Sequence, residues 1–374
     1  MSSDLPAPRP KILEIESYVP GESYVQGGIE PIKLSSNETP LGPSPDAIKA
    51  YQNAAYNLSR YPDGEAKHLK EAISTKYNLN PNSIICGAGS DDLLSLIAHA
   101  FIGPDNEGLY TQYGFLLYKI VILASGGNPV VASEINYRAD VDKILEKISY
   151  RTKVVFLANP NNPTGTYLSH KEVNRLRREL PSHVVLVLDG AYAEYVLERD
   201  YDAGIELVTN TNNTIMTRTF SKIYGLAGLR VGWAYCSKGI APILNRIRGP
   251  FNVSTPSILA AAAAIKDQSH LSSAIAHNEK WLSWMKSEIE KLGLVVTPSV
   301  ANFLLVHFPL LQKRNAVLCD EFLRSHGIIV RGVGSYGLPH CLRITIGKED
   351  ENRKLIAVMG EFQKRMTDTK DGLS

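Results

Sequence analysis

The sequence predicts an α/β fold, in which the strands of a mostly parallel sheet alternate with helices and a smaller α+β unit follows. Two apolar runs of strand length, "KVVFLANP" and "VVLVLDGAY", end in polar residues. Such continuous runs are typical of strands that are buried on both faces of a parallel sheet. The segment between them, "SHKEVNRLRREL", has helical spacing, and Ser169 is its expected N-cap. This alternation of strand and helix indicates an α/β domain.

The remaining segments suggest where the domains begin and end. Residues 1 to about 45 are rich in Pro, Ser, Gly and Glu without a sustained period, which predicts an extended arm. "DAIKAYQNAAYNL" has helical spacing, and "SIICGAGSDDLLSLIAHAF" combines a short apolar run, a glycine turn and an amphipathic helix. After about residue 255 a long helical region, "SILAAAAAIKD" through "WLSWMKSEIEKLG", precedes "ANFLLVHF", "IIVRGV" and "CLRITIG". We therefore expect an N-terminal arm and the start of a small domain in 1–45, a large domain in 46–255 and a small C-terminal domain in 256–374.

Composition narrows the class of protein. The 374 residues are 44% hydrophobic and 21% charged, which predicts about two folded domains with sizeable cores. A net charge of +2 gives no argument for a nucleic-acid partner. No apolar run reaches the ~18 residues of a membrane span, and the first residues lack the apolar core of a secretory signal. The four cysteines are scattered without a CxxC pair, so we expect reduced thiols, a cytoplasmic protein and no metal site.

Polar side chains follow the two predicted strands where each strand ends. They are Asn159, Asn161 and Asn162 after the first strand, and Asp189 and Tyr192 after the second. Open α/β sheets bind ligands at the carboxyl ends of their strands. The sequence therefore places a candidate ligand site at this edge of the sheet.

Two further segments carry chemistry. "GAGSDD", residues 87–92, joins a strand to a helix, and its glycines and helix N-terminus suit a phosphate, although a plain tight turn has the same pattern. Lys222 in "TRTFSKIYGLAGLRVGW" precedes a nearly uncharged run, and Arg230 follows eight residues later. A desolvated lysine near another cation loses its proton more easily and becomes a nucleophile; the alternative is a buried, salt-bridged lysine. A phosphate turn, a strand-end carboxylate, an embedded lysine and an arginine together suit pyridoxal 5′-phosphate.

Seven motifs in a fixed order support this interpretation along nearly the whole chain. The motifs are "SSNETPLGPSP", "RYPDG", "GAGSDD", "NPNNPTG", "DGAYAEY", "RTFSKIYGLAGLRVGW" and "LRITIG". The set resembles the fold-type I pyridoxal-phosphate aminotransferases and, within them, the histidinol-phosphate aminotransferase family. The resemblance implies a large domain with helices on both faces of the sheet, and a homodimer with shared active sites. It also implies ping-pong conversion of histidinol phosphate and 2-oxoglutarate to imidazole-acetol phosphate and glutamate, in histidine biosynthesis.

The resemblance assigns the cofactor-contacting residues. Lys222 matches the Schiff-base lysine, and Asp189 matches the carboxylate under the pyridine nitrogen, where the alternative is a helix N-cap. Asn162 and Tyr192 match the pair that contacts the phenolic oxygen, although an Asn before Pro-Thr-Gly also starts turns. Tyr113 matches the aromatic residue that stacks on the ring. The phosphate-binding set is Ser90, Asp91, Thr219, Ser221 and Arg230.

The resemblance also assigns the substrate pocket. Arg343 matches the arginine that holds the substrate's acidic group, and Arg331 matches a second arginine near it. Tyr18 and Tyr61 match tyrosines of the same pocket, with Tyr61 supplied by the neighbouring subunit. Asn162 completes the substrate set.

One departure from the family pattern concerns the cofactor aspartate. The family often has an acidic residue directly after it, whereas this sequence has "DGAY" with Gly190. We expect the chemistry to survive, because the spacing of Asp189 and Tyr192 is kept. The alternatives are an aromatic amino acid aminotransferase, including dual specificity, a pyridoxal-phosphate decarboxylase and a non-catalytic pyridoxal-phosphate-binding regulator. The sequence does not rank amino donors.

Overall fold

The computed structural model describes residues 6–17, 19, 21–22, 31–311 and 314–368, so Tyr18 lies outside the described residues. The strands are β1 Ile32–Lys33, β2 Ile84–Gly87, β3 Glu107–Thr111, β4 Asn128–Ala132, β5 Glu134–Ile135, β6 Arg138–Ala139, β7 Thr152–Ala158, β8 Val185–Asp189, β9 Thr214–Thr219, β10 Gly232–Cys236, β11 Val295–Thr297, β12 Phe303–His307, β13 Ile328–Ile329, β14 Arg331–Val333 and β15 Leu338–Thr345. The helices are α1 Pro45–Ala54, α2 Lys67–Tyr77, α3 Ser90–Phe101, α4 Leu117–Ala124, α5 Val141–Leu145, α6 His170–Glu179, α7 Ile205–Asn210, α8 Ile240–Ile247, α9 Thr255–Ala264, α10 Gln268–Lys291, α11 Ala316–Ser325 and α12 Glu349–Asp368.

A seven-stranded sheet forms the centre of the larger unit. Its strand order is β2-β10-β9-β8-β7-β3-β4. All neighbours from β9 to β4 pair in parallel, whereas β10 runs antiparallel to both β9 and β2. Apolar cores lie on both faces of this sheet, against helices. The predicted α/β fold with a mostly parallel sheet is therefore confirmed.

Helix α6 illustrates how local sequence sets these elements. The side chain of Ser169 accepts a hydrogen bond from the backbone N–H of Glu172, and the Glu172 carboxylate accepts from the backbone N–H of Ser169. This reciprocal capping box satisfies two donors that the first turn of a helix leaves unpaired. Ser169 is the predicted N-cap.

The smaller unit contains an antiparallel sheet with the order β11-β12-β15-β14. Helices α10, α11 and α12 contribute Trp281, Leu323 and Phe362 to the core on this sheet. Strand β1 joins the same unit, because Ile32 pairs in parallel with Ile328 of β13. Helix α9 packs against α1 and α2 of the larger unit. The domain limits near residues 45 and 255 stay predictions.

Earlier in the N-terminal arm, a 3-10 helix over Pro10–Glu14 contacts α4. The guanidinium of Arg9 donates to the carbonyl oxygen of Ala124 at the end of α4. This part of the arm is therefore docked on the larger unit. Within the described residues, no helix combines the length and the apolar character that crossing a membrane requires.

Candidate active site

A cavity of about 350 Å³ lies at the carboxyl ends of β7, β8 and β9. Its volume lies within the range of small-molecule sites. The predicted site residues that line it are Ser90, Asp91, Asn162, Asp189, Tyr192, Thr219, Ser221, Lys222, Arg230, Arg331 and Arg343. The structure thus brings together side chains that are spread over more than 250 residues of sequence.

Lys222 follows β9 and reaches into this cavity. Its Nζ donates to the carbonyl oxygen of Ser36 at 3.2 Å and lies 5.8 Å from the centre of the Tyr192 ring. Burial, and next the positive charge of Arg343, lower the pKa of Lys222 to about 8. With this pKa roughly a tenth of the amines are neutral at pH 7, far more than for an ordinary lysine, and the neutral amine is the state that a nucleophile needs.

Asp189 ends β8 at the bottom of the cavity and is only 4% exposed. Its Oδ2 accepts from the Tyr118 hydroxyl at 2.8 Å, and its Oδ1 accepts from Thr217 at 3.2 Å. Burial raises the pKa of Asp189 to about 6, although both hydroxyl groups act in the opposite direction. No cationic side chain in the described residues forms a salt bridge with it. A buried carboxylate with this surrounding suits a cationic N–H group of a ligand.

Sequence reasoning missed Tyr118, which lies in α4. Its ring is completely buried and stacks on Phe156, with centroids 5.2 Å apart and an interplanar angle of 11°. The surrounding residues "FLLYKIVILA" gave no functional signal, because an aromatic residue in such a run is typical of a core position. The structure shows that the hydroxyl of Tyr118 positions Asp189.

The N-terminus of α3 forms one corner of the cavity. Helix α3 begins at Ser90, and its N-cap, Gly89, provides no side chain to pair with the free backbone N–H groups. Gly89 has φ +94°, and a Cβ there would lie 2.5 Å from Nη2 of Arg230. The opposite Nη1 of Arg230 donates to Ser221 Oγ at 3.2 Å. Helix N–H groups, a hydroxyl and a guanidinium converge here, which is the donor set that a phosphate requires.

The other residues of this corner are held by short contacts. Nη2 of Arg230 lies 3.3 Å from Asp91 Oδ2. Thr219 is buried, and its Oγ1 accepts from the backbone N–H of Ser221 at 3.1 Å. Thr219 therefore sets the backbone of the turn that carries Ser221 and Lys222.

Two arginines face each other on the opposite wall. Arg331 of β14 and Arg343 of β15 are direct cross-strand partners. In the described part of the chain neither forms a salt bridge with a carboxylate. Like charges in this arrangement destabilise a sheet, so an anionic ligand would relieve a repulsion that the protein leaves uncompensated.

Hydrogen bonds orient both arginines. Nη1 of Arg343 donates to Asn162 Oδ1 and Nη2 donates to the carbonyl oxygen of Ser35, each at 2.6 Å. Its Nε is buried and has no hydrogen-bond partner among the described residues. Nη2 of Arg331 donates to the carbonyl oxygen of Val19 at 2.7 Å. The buried, unpartnered donor of Arg343 is a second indication of an anion site.

Residues directly after β1 also line the cavity, and sequence reasoning assigned them no role. They are Ser35, Ser36 and Asn37, together with Lys33 of β1 itself. The amide nitrogen of Asn37 donates to the Tyr192 hydroxyl at 2.9 Å. The signal that could have identified Asn37 was its place in "SSNETP", which belongs to the ordered set of motifs.

Two of the predicted residues that the structure describes, Tyr61 and Tyr113, are not among those lining the cavity. Tyr18 lies outside the described residues. The Tyr113 ring packs against Tyr137 with centroids 5.6 Å apart, while Phe115, two residues later, lines the cavity. Tyr61 is 82% exposed and stacks on Phe251 at 4.7 Å. The roles assigned to these tyrosines stay predictions.

The surroundings of Gly190 explain how the chain accommodates its departure from the family pattern. A Cβ at Gly190 would lie 3.1 Å from Cδ of Arg218. Arg218 is buried and forms a 2.7 Å salt bridge with the equally buried Glu194. Glu194 therefore neutralises the arginine beside Gly190, and the carboxylate missing at position 190 leaves no unpaired buried cation there.

Comparison with known proteins relates this geometry to a family. The family model "Aminotransferase class I and II" matches residues 29–359. A histidinol-phosphate aminotransferase of Rhodopseudomonas palustris (strain BisB18) is 54% identical over 358 residues, covering 96% of this chain and 98% of that relative.

Solved structures agree with the family match. The crystal structure of histidinol-phosphate aminotransferase from Sinorhizobium meliloti in complex with pyridoxal-5′-phosphate is similar with a TM-score of 0.88 at 27% identity, covering 98% of this chain and all of that one. An aspartate aminotransferase double mutant from Thermus thermophilus shares the fold, with a TM-score of 0.80 at 20% identity over 90% of this chain and 92% of its own.

Proposed function

The chain belongs to the class I and II aminotransferases, and from this premise we propose that it transfers an amino group between histidinol phosphate and 2-oxoglutarate with pyridoxal 5′-phosphate as cofactor. The products are imidazole-acetol phosphate and glutamate, and the reaction is a step of histidine biosynthesis. The name of its 54% identical relative supports this substrate. The structural observation that carries the proposal is the cross-strand pair Arg331 and Arg343 in the same cavity as Lys222.

The residues of the cavity fit this cofactor. The corner at Ser90, Ser221 and Arg230 offers convergent donors to a phosphate, and the buried carboxylate of Asp189 offers a partner to a ring nitrogen. Lys222 offers an amine whose pKa is lowered to about 8. When bound, pyridoxal phosphate supplies an aldehyde that condenses with amines and a ring that accepts electron density from the reacting carbon.

The protein's own side chains then have distinct tasks. With the cofactor bound, Lys222 would act as the nucleophile toward its aldehyde, and Nζ of Lys222 would carry the proton that leaves and rejoins the substrate. Asp189, ionised beside a cationic ring nitrogen, would keep the proton on that nitrogen. Since Arg343 can only donate, the atom of Asn162 that it contacts is the amide oxygen. The amide nitrogen of Asn162 would then be available to donate to the cofactor's phenolic oxygen.

The arginine pair accounts for substrate choice. Histidinol phosphate carries a phosphate where glutamate carries its α-carboxylate, and both react at the same cofactor carbon. The two anions therefore use one site, at which Arg343 binds either group. A phosphate has more charge and a further oxygen, for which Arg331 supplies an additional donor.

Steady-state kinetics with 2-oxoglutarate as acceptor test this proposal. Arg331→Gln is expected to lower kcat/KM for histidinol phosphate about 10- to 100-fold, because a hydrogen bond to a charged group contributes roughly 1.5–3 kcal/mol. Turnover of phenylalanine should fall less, whereas Arg343→Gln should impair both substrates. Arg365→Gln, which changes an exposed arginine paired with Glu361 in α12, is the matched control and should leave both rates unchanged.

Two outcomes would contradict the proposal. Unchanged turnover of histidinol phosphate by Arg331→Gln would remove Arg331 from the pocket. A higher kcat/KM for phenylalanine than for histidinol phosphate in the unmodified enzyme would establish an aromatic amino acid aminotransferase instead.

The proposal extends to assembly and location. Nine of the exposed large apolar side chains among the described residues lie in two segments, 41–61 and 243–251: Leu41, Ile48, Tyr51, Tyr56, Leu58, Tyr61, Ile243, Ile247 and Phe251. Concentrated apolar exposure is typical of a subunit interface, which supports a homodimer with shared sites.

All four cysteines are buried and unpaired, which fits the reducing conditions of the cytoplasm.

A further inference from the structure

Three potential metal ligands meet in the smaller unit, outside the cavity described above. They are His307 at the end of β12, with His340 and Cys341 of β15. One donor atom of each lies within 4.8 Å of the others. His307 and Cys341 are direct cross-strand partners, and Sγ of Cys341 lies 3.3 Å from Nδ1 of His307. The arrangement thus depends on strand pairing, which is why scattered cysteines gave no sign of it in the sequence.

We propose that His307, His340 and Cys341 bind a Zn²⁺ ion, with water in the fourth position. Two imidazoles and a thiolate form a donor set that Zn²⁺ takes up readily, whereas Mg²⁺ and Ca²⁺ require oxygen ligands. Zn–S and Zn–N bonds of about 2.3 and 2.0 Å at a tetrahedral angle separate sulfur from nitrogen by roughly 3.5 Å. The 3.3 Å between Cys341 and His307 is close to this value. His340 is half-buried, so a change of its rotamer can close the remaining gap.

A residue outside the ligand set already orients His307. Nε2 of His307 lies 2.7 Å from Thr297 Oγ1. A histidine that binds a metal through one nitrogen commonly donates its other N–H to an oxygen, which selects the tautomer and the ring orientation. Here the contact with Thr297 leaves Nδ1, on the side of Cys341, to bind the metal. The Tyr137 ring packs on the imidazole at 4.7 Å and restricts its rotation.

A second cavity reaches the two histidines of the site, whereas Cys341 is buried and is not part of the cavity lining. The cavity has a volume of about 410 Å³, and His307, His340 and Thr297 are part of its lining. Among the residues that the structure describes, no Asp or Glu lines this second cavity. None of its lining residues also lines the cavity around Lys222. Binding replaces the thiol proton of Cys341, which is released to solvent, by the metal. The ion would join β12 to β15, the strand on which Arg343 lies two residues beyond Cys341.

Titration of the chelator-treated holoenzyme with Co²⁺, as a spectroscopic substitute for Zn²⁺, tests the site. We expect one ion per chain with tetrahedral ligand-field bands in the red part of the visible spectrum, where bound pyridoxal phosphate does not absorb. Zn²⁺ should displace Co²⁺ and raise the thermal midpoint, because it binds the native state preferentially. Cys341→Ser and His340→Ala should each weaken binding at least about 10-fold.

Matched variants separate this site from others. Cys319→Ser, at another buried cysteine of the same unit, and His99→Ala, at an exposed histidine of α3, should bind Co²⁺ as the unmodified protein does. The proposal is overturned if tetrahedral bands do not form, or if they persist in both His340→Ala and Cys341→Ser. If Cys341→Ser does not fold, the half-buried position of His340 still provides the decisive variant.

Discussion

The ionisation of Asp189, at the end of β8, depends on the hydroxyl of Tyr118, which lies in helix α4. Tyr118 lies 71 residues earlier in the chain, and its hydroxyl is one of two that contact the carboxylate. The hydrogen bond favours the ionised form of Asp189 against the effect of burial, which raises the pKa to about 6. Tyr118 is therefore a positioning residue that acts through Asp189.

Tyr118→Phe isolates this hydrogen bond, since phenylalanine keeps the ring that stacks on Phe156. A hydrogen bond to a charged group contributes roughly 1.5–3 kcal/mol, so its loss should lower kcat about 10-fold or more. The loss also raises the pKa of Asp189, so the acidic limb of the pH profile of kcat should move to higher pH. The measurement is kcat for histidinol phosphate as a function of pH.

A neighbouring tyrosine provides the control for this experiment. Tyr110 is buried in the same core, 6.3 Å from the Tyr118 ring, and its hydroxyl has no hydrogen bond to another described residue. Tyr110→Phe should change neither kcat nor the pH profile. A loss of activity in Tyr118→Phe without a movement of the acidic limb would indicate a packing role only.

The strands that carry residues of the site include those that the apolar runs of the sequence predicted. The apolar runs became β7 and β8, and Asp189 ends β8, because the carboxyl ends of parallel strands meet at one edge of a sheet. The contribution of β1 could not be predicted in this way. It is two residues long and pairs with β13, whose register brings Ile32 beside Ile328. So short a strand has no periodicity, and pairing across such a separation in sequence leaves no local pattern.

The turn before α3 shows a second limit of local reasoning. "GAGSDD" predicted an anion site, yet the reason why Gly89 is needed emerges only from its neighbour Arg230 in space. The prediction followed from a general property of helix N-termini. The contact between Gly89 and Arg230 instead depends on how β10 and α3 pack.

Gly89→Ala should weaken binding of pyridoxal phosphate at least about 10-fold, because φ +94° strains an alanine and its Cβ would displace Arg230. Titration of the apoenzyme with the cofactor measures this affinity, and the thermal midpoint of the apoenzyme monitors the fold. Gly103→Ala, just beyond the other end of α3, is the control, because the nearest atom to its Cβ is 3.8 Å away. Equal affinity of the two variants would show that the α3 corner does not hold the phosphate.

At the scale of the whole molecule, the exposure of Tyr61 bears on assembly. Its ring is 82% exposed, stacks on Phe251 and does not line the cavity of its own chain. If Tyr61 belongs to the substrate pocket, as the family resemblance implies, it must reach the site of a second subunit. A twofold-symmetric dimer provides this arrangement for both sites at once.

Mixing two inactive variants tests whether the sites are shared. Lys222→Ala should abolish turnover of its own site, and Tyr61→Ala should impair the site to which Tyr61 belongs. If Tyr61 serves the partner, a hybrid dimer has one site with both residues intact and one with neither. Random pairing of equal amounts gives hybrids in half of the dimers, so about a quarter of the unmodified activity should return.

Tyr150→Ala is the control, because this tyrosine is 83% exposed and lies outside the apolar segments, and the variant should be fully active alone. If instead Tyr61 serves its own subunit, each site of the hybrid carries one defect. Hybrids whose formation is verified by differential tagging would then remain as inactive as the parent variants.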